Sequence, residues 1–358
     1  MKTSSRLCAS RTGAGVGGWS RPITALSCRS TTVSDRQHFQ RCLHTRVGFH
    51  RLKRLTDHKA YGHSNGYLYS TNPHTSPSQH SSMEETTGRD SKLANNDQLA
   101  HIRSKRAFIV DMDGVLYHGK KLLHGAKEFV NWLQEEKKDY LFLTNSSDKT
   151  QKELSYKLSN LGIKVDESRF YTSALSTASF LHSQKPFATA YVVGDPGLLN
   201  ALYNEGVTIT DISPDYVVVG ETTNYNYEAL SKAINLVRGG ARLIGTNCDL
   251  VDRTVHGLAP AGGTLVAPIV LATGVDAYFL GKPNPLIMRS AMDRLGSKRE
   301  DTIIIGDRMD TDIIAGIESG IDTCLVLTGV TSIPQLRNFA YAPKFVLEGV
   351  SSVPPSLS

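Results

Sequence analysis

From Arg106 onward the chain alternates short, wholly apolar runs with stretches whose apolar positions recur every three or four residues. Ala107–Val110 and Tyr140–Leu143 are runs of the first kind, and between them Ala126, Phe129, Val130 and Leu133 recur at helical spacing. A run that is apolar on both faces predicts a strand buried inside a parallel sheet, and two such strands joined by a helix predict a right-handed crossover unit. The pattern continues with a helix over Gln151–Leu161, a strand near Arg169–Thr172 and a helix over Ala174–His182. Towards the other end, Thr302–Ile305 predicts a buried strand, followed by a helix over Asp312–Ser319 and strands at Thr323–Leu327 and Phe345–Leu347. The middle alternates too, with strands at Ala190–Val193, Tyr216–Val219 and Leu243–Gly245 and helices over Gly197–Asn204 and Tyr227–Arg238. Because it interrupts the first pattern, the middle predicts a second, inserted α/β domain. The expected fold is therefore α/β with a parallel sheet. Residues 101–185 and 276–350 form its core, residues 186–275 form a cap, and residues 1–100 form a disordered tail and linker.

Charge divides along the same line. The 358 residues carry a net +6, but residues 1–100 hold 14 bases and 6 acids, which leaves 26 bases and 28 acids for the remainder. A body at −2 does not present the folded basic face that nucleic-acid binding requires. The longest mainly apolar stretch, Leu265–Val275, contains Pro268 and is too short to span a bilayer. Residues 1–34 contain five basic residues, seven serines and no acid, the composition of an organellar transit peptide. Gly13, Gly15, Gly17 and Gly18 break any secretory apolar core and weaken an amphipathic helix. The mitochondrion is the first expected address, a plastid the second, and the cytoplasm follows if the segment carries no address. Five scattered cysteines without a C-x-x-C pair point to a reducing compartment and exclude a cysteine-rich zinc site.

Polar residues collect at the C-terminal ends of the predicted strands, the edge where open α/β sheets bind ligands. Asp111-Met112-Asp113-Gly114-Val115 places two carboxylates two residues apart where a strand turns, an arrangement suited to a carboxylate nucleophile beside an acid/base carboxylate. Thr144-Asn145-Ser146 supplies a hydroxyl and main-chain N–H groups for phosphate oxygens, although the same triplet also serves as a turn or helix cap. Lys282, between Gly281 and Pro283, offers an ammonium to offset a dianion. Gly306-Asp307-Arg308-Met309-Asp310-Thr311-Asp312 sets three acids after a strand, oxygen ligands that favour Mg²⁺.

These four elements, in this order, resemble the haloacid dehalogenase superfamily of phosphohydrolases. Tyr191-Val192-Val193-Gly194, Pro214–Thr222, Thr246-Asn247-Cys248-Asp249 and Val326–Val330 further resemble its NagD-type branch, over about Arg106 to Glu348. The resemblance implies a Rossmann-like core with an α/β cap inserted after the third core strand. By position it makes Asp111 the nucleophile and a Mg²⁺ ligand, and Asp113 the general acid and base with its main-chain carbonyl on the metal. Thr144 and Asn145 then bind the transferring phosphoryl group, Lys282 neutralises it, Asp307 completes the protein ligands and Asp312 supports them. Asn247 and Asp249, on a loop matching the family's substrate-facing cap segment, become specificity candidates. Cys248 stands where relatives often have Pro.

The implied activity is Mg²⁺-dependent hydrolysis of small phosphate monoesters through an aspartyl-phosphate, with nucleoside monophosphates such as UMP first and phosphoglycolate or a sugar phosphate second. A homodimer through the cap is implied as well, with no nucleic acid or membrane as partner. The alternative from another class is a non-catalytic module that binds a phosphorylated ligand. Of the remaining side chains, His118 is expected in solvent on a flap and His256 on a cap loop. Tyr225 and Tyr227 are expected half-buried at a helix start, Trp132 in the core, and Cys324 as an inert buried thiol.

Overall fold

A computed structural model describes residues 93–254 and 257–355, so the segment read as a targeting peptide and His256 lie outside the described residues. In chain order the strands are β1 (Ala107–Val110), β2 (Tyr117–His118), β3 (Lys121–Leu122), β4 (Asp139–Thr144), β5 (Phe170–Thr172), β6 (Thr189–Val193), β7 (Thr208–Ile209) and β8 (Tyr216–Val219). They continue as β9 (Arg242–Gly245), β10 (Val251–Thr254), β11 (Gly257–Pro260), β12 (Tyr278–Phe279), β13 (Thr302–Gly306), β14 (Asp322–Val326) and β15 (Phe345–Leu347).

One sheet has the order β15-β14-β13-β1-β4-β5, and every pairing in it is parallel. Its strands are buried on both faces. Phe108, Val110, Ile303 and Ile305 pack on one side with Phe129, Trp132 and Leu133 of the helix Ala126–Glu135. Ile109, Ile304, Leu141 and Leu143 pack on the other with Ile287, Met288 and Ala291 of the helix Pro285–Leu295. Alternation with a period of two thus sends apolar side chains both ways, which is why these runs lack polar positions. Val110 lies opposite both Ile305 and Phe142, so β1, β13 and β4 end side by side. The chain's direction of travel across the sheet reverses between β1 and β13, the point at which such sheets open a binding crevice.

A second parallel sheet has the order β12-β9-β8-β6-β7. Val217, Val219 and Leu243 pack against Val237, Leu265 and Ile269 from helices Tyr227–Arg238 and Gly262–Thr273. Its edge strand β12 lies beyond the boundary expected at residue 275, because Phe279 pairs beside Gly245, where a Cβ would lie 2.3 Å from the ring. An antiparallel hairpin, β10–β11, follows β9. No helix among the described residues is long and apolar enough to cross a membrane.

The linker expected to run through residue 100 ends earlier. A helix spans Asn96–Ser104, started by a capping box in which Asn95 and Gln98 each accept from the other's backbone N–H. Ile102 is fully buried in the core, and Arg103 Nε donates to Val353 O at 2.6 Å. The helix expected over Asp312–Ser319 is reached through a π-helical turn, Met309–Ile313, and is α-helical over Ile314–Ser319.

Candidate active site

Asp111 is the first residue beyond β1, fixed by its N–H to Ile305 O at 2.8 Å. The chain then turns sharply, and Gly114 takes φ 81°, a conformation that favours glycine. A Cβ at Gly114 would lie 2.5 Å from Asp307 Oδ2, so the absence of a side chain also lets this turn close on the end of β13. Asp307 Oδ2 accepts from Val330 N–H at 2.6 Å, whereas its Oδ1 is buried with no hydrogen-bond partner among the described residues. The π-helical turn brings Asp312 back towards β13, where a Cβ on Gly306 would lie 2.2 Å from the Asp312 Cβ. Such turns recur at functional sites because they redirect a side chain that an unbroken helix would point elsewhere.

Lys282 enters from the loop before helix Pro285–Leu295, with a cis peptide bond to Pro283. Its Nζ donates to Asp111 Oδ1 at 2.6 Å, Asp312 Oδ1 at 2.7 Å and Leu143 O at 3.1 Å. Burial alone would depress this ammonium, but Asp111 and Asp312 hold it charged and raise it above the usual lysine range. Asp111 is pushed well above the ordinary carboxylate range by burial, against the pull of Lys282. Burial and then Asp312 raise Asp307 to about 7.

Ligand atoms of Asp111, Asp307 and Asp312 lie within 4.8 Å of one another. Three buried carboxylates facing one ammonium leave a shortage of positive charge, and the unpartnered Asp307 Oδ1 marks where it is felt. An all-oxygen donor set of this kind fits a hard divalent cation such as Mg²⁺. Both oxygens of Asp312 are already engaged, by Lys282 Nζ and by Arg308 N–H at 3.2 Å, so Asp312 serves through its neighbours.

Asp113 stands in the turn with its side chain 60% exposed. His118 is not simply in solvent: its Nε2 is 2.7 Å from Thr328 O and its Nδ1 is 3.5 Å from Asp113 Oδ1. Thr144 ends β4, and its hydroxyl accepts from Ser146 N–H at 3.1 Å, which leaves the hydroxyl proton free to donate. The Asn145 side chain points inward: Oδ1 accepts from Lys282 N–H at 2.7 Å, and Nδ2 donates to Lys282 O at 3.0 Å and Asp249 Oδ2 at 2.9 Å. Whatever Asn145 offers an anion is therefore main-chain.

Asn247 and Asp249, the specificity candidates, follow β9 with their side chains engaged by neighbouring protein groups. Asn247 is fully buried, with Nδ2 donating to Asn145 O at 2.8 Å and Glu221 Oε1 at 2.7 Å, and Oδ1 accepting from Asp249 N–H at 3.1 Å. Asp249 is buried between Asn145 and Arg308, whose Nη2 is 3.4 Å from Asp249 Oδ1. Both residues brace the core loop, because β9 ends directly against it. Ser147, Ser173 and Glu221, the last inside the Pro214–Thr222 segment but without a role assigned to it there, belong to the same bracing. Tyr225 is tied to Leu265 O and Tyr227 is exposed at its helix start, while Trp132 and Cys324 are buried as expected.

Comparison with known proteins matches this arrangement. Residues 108–208 fit the model of the haloacid dehalogenase-like hydrolases, and residues 279–353 fit a HAD-hydrolase-like model. Over 247 residues the chain is 42% identical to a dihydroxyacetone phosphatase of Corynebacterium glutamicum, covering 69% of this chain and 90% of that protein. It is 40% identical over 245 residues to the ribonucleotide monophosphatase NagD of Escherichia coli K12, covering 68% and 96%. The solved structure of NagD from E. coli K-12 superposes with a TM-score of 0.66 at 39% identity, covering 69% of this chain and 98% of the other.

Proposed function

The chain belongs to the haloacid dehalogenase-like hydrolases as a NagD-type phosphatase, a phosphoric monoester hydrolase, and from that premise we propose that it is a Mg²⁺-dependent enzyme acting through Asp111. The observation that carries the reading is Lys282 Nζ clasped between Asp111 and Asp312 beside the unpartnered Asp307 Oδ1. With Asp111 Oδ1 held by the ammonium, Oδ2 is the oxygen left to attack phosphorus. The bond from phosphorus to the leaving oxygen breaks as the aspartyl-phosphate forms, and Asp113 gives its proton to the departing alcohol. Asp113 then takes a proton from water, which attacks phosphorus, breaks its bond to Asp111 and releases inorganic phosphate. The Thr144 hydroxyl and the Asn145 main-chain N–H hold phosphoryl oxygens, and Lys282 offsets the charge they gather. Asp111, Asp307 and the Asp113 carbonyl would hold Mg²⁺, whose charge when bound further offsets that of the phosphoryl group.

For substrate we propose small soluble monoesters, nucleoside monophosphates such as UMP first, supported by the likeness to a ribonucleotide monophosphatase. A short sugar or triose phosphate is the second reading, favoured by the likeness to a dihydroxyacetone phosphatase. Phosphate release from the purified protein with Mg²⁺, across nucleotide, sugar and glycolate esters, ranks them. Asp111→Asn is expected to lower turnover by at least about 10³-fold on every ester while remaining folded by circular dichroism. Wild-type turnover in that variant would refute Asp111 as the nucleophile.

A further inference from the structure

Glu221 takes no part in the chemistry above, yet it makes more bonds to the phosphoryl-binding loop than any motif suggested. It follows β8, whose end comes so near that a Cβ on Gly220 would lie 2.7 Å from Ser147 Oγ. Glu221 Oε2 accepts from Ser147 N–H at 2.8 Å, and the Glu221 N–H donates to Ser147 Oγ at 3.0 Å. Glu221 Oε1 accepts from Asn247 Nδ2 at 2.7 Å, and the same amide donates to Asn145 O at 2.8 Å. Thr246 Oγ1, at the end of β9, is 3.2 Å from Ser147 Oγ. The Asn145 side chain in turn holds the Lys282 backbone, Oδ1 accepting from Lys282 N–H and Nδ2 donating to Lys282 O. A continuous path therefore runs from the second sheet through Glu221, Ser147, Asn247 and Asn145 to the ammonium on Asp111.

We propose that Glu221 is a positioning residue: its carboxylate, carried by the second sheet, holds residues 145–147 in the form that receives the phosphoryl group. Both carboxylate oxygens are accepting from N–H donors, a task an amide of the same shape cannot perform, because its NH₂ would confront Ser147 N–H or Asn247 Nδ2. Burial and the nearby Asp252 raise Glu221 to about 7, so an acid is kept at this position against an opposing electrostatic cost. Glu221 acts only through its neighbours and touches no reacting atom.

The proposal rests on the phosphatase site described above, and its test is steady-state kinetics of the full chain with p-nitrophenyl phosphate and inorganic phosphate as a competitive inhibitor. Glu221→Gln is expected to raise KM and the phosphate inhibition constant together by about tenfold, with kcat changed less than about threefold and the melting temperature within about 2 °C. A general loss of structure would lower the melting temperature and would not move the two binding constants in step. Asn247→Ala, cutting the same path, is expected to match that effect, and the double variant to add little to the larger single change. Wild-type constants in Glu221→Gln, or fully multiplicative effects in the double variant, would overturn the proposal. Should Glu221→Gln fail to fold, Glu221→Asp keeps the charge without the reach and is expected to raise both constants; wild-type values there would overturn it equally. Asp111→Asn measured in parallel separates the two readings. If it remains active the site assignment fails, and if it is dead while Glu221 variants behave as wild type only the brace fails.

Discussion

Lys282 and Asp307 show how narrow the tolerances are at the level of single residues. One ammonium serves two carboxylates, and the third acid, Asp307, has Oδ2 fixed by Val330 N–H while Oδ1 finds no partner among the described residues. The glycines around it are part of that arrangement. A Cβ on Gly329 would lie 1.9 Å from Asp307 Oδ2 and 2.4 Å from its Cγ, so Gly329→Ala must displace the carboxylate. Expected are a destabilisation of about 1–3 kcal/mol from overpacking and a rise of about tenfold or more in the Mg²⁺ concentration giving half-maximal activity. Denaturant melts and Mg²⁺ titrations of phosphate release check the two parts. An unchanged Mg²⁺ requirement would mean that Asp307 does not hold the cation.

Among the elements, the helix Asn96–Ser104 and strand β14 are joined by Asp322, which receives Lys105, Lys344 and His101 at 2.7–2.8 Å. Burial works against the charged form of Asp322, but those three bonds outweigh it and bring the carboxyl down to about 2. A folded-state value below the unfolded one contributes stability that is present above about pH 4 and is lost as pH falls through 2. Asp322→Asn is therefore expected to cost about 1 kcal/mol at pH 7, after discounting for partial solvent exposure, and less at pH 3. Urea melts at the two pH values test the sign, and an equal cost at both would refute it. The sheet strands were legible in the sequence because wholly apolar runs such as Ala107–Val110 and Ile303–Ile305 leave few other options. The short strands β7 and β12 and the hairpin β10–β11 were not, since two to four largely exposed residues carry no periodicity. The helix Asn96–Ser104 was missed although Asn95 and Gln98 spell its capping box, because only Ile102 of its residues is buried. Asp111, Lys282, Asp307 and Asp312 were legible as a set because their motifs fall at strand ends in order. Glu221 was not, because its partner Ser147 is 74 residues away and only the fold joins them.

At the scale of the whole molecule, the inserted sheet divides the chain so that Asp111 comes from the stretch before it and Lys282, Asp307 and Asp312 from the stretch after it. Without a cation, the join between β1 and β13 contains three buried acids and one base, an arrangement that works against the folded state even as Lys282 tethers it. A cation bound to Asp111 and Asp307 would link both stretches, and its binding free energy would add directly to folding stability. At about 100 times its dissociation constant it contributes about 2.7 kcal/mol, or roughly 5–10 °C in melting temperature for a body of this size. Asp307 is raised to about 7, so its ionised form is disfavoured in the folded state and costs stability as pH rises from about 4 towards 7. Asp307→Asn is accordingly expected to do two opposite things at pH 7.5. In chelator it should melt a few degrees above the wild type, because a strained buried charge is gone; with Mg²⁺ it should fall below the wild type, because the stabilisation by the cation is lost. Differential scanning calorimetry of both proteins with and without Mg²⁺ reads all four values. A wild-type melting temperature indifferent to Mg²⁺ would show that the acids at this join hold no cation, and a variant that still gained stability from Mg²⁺ would move the site away from Asp307.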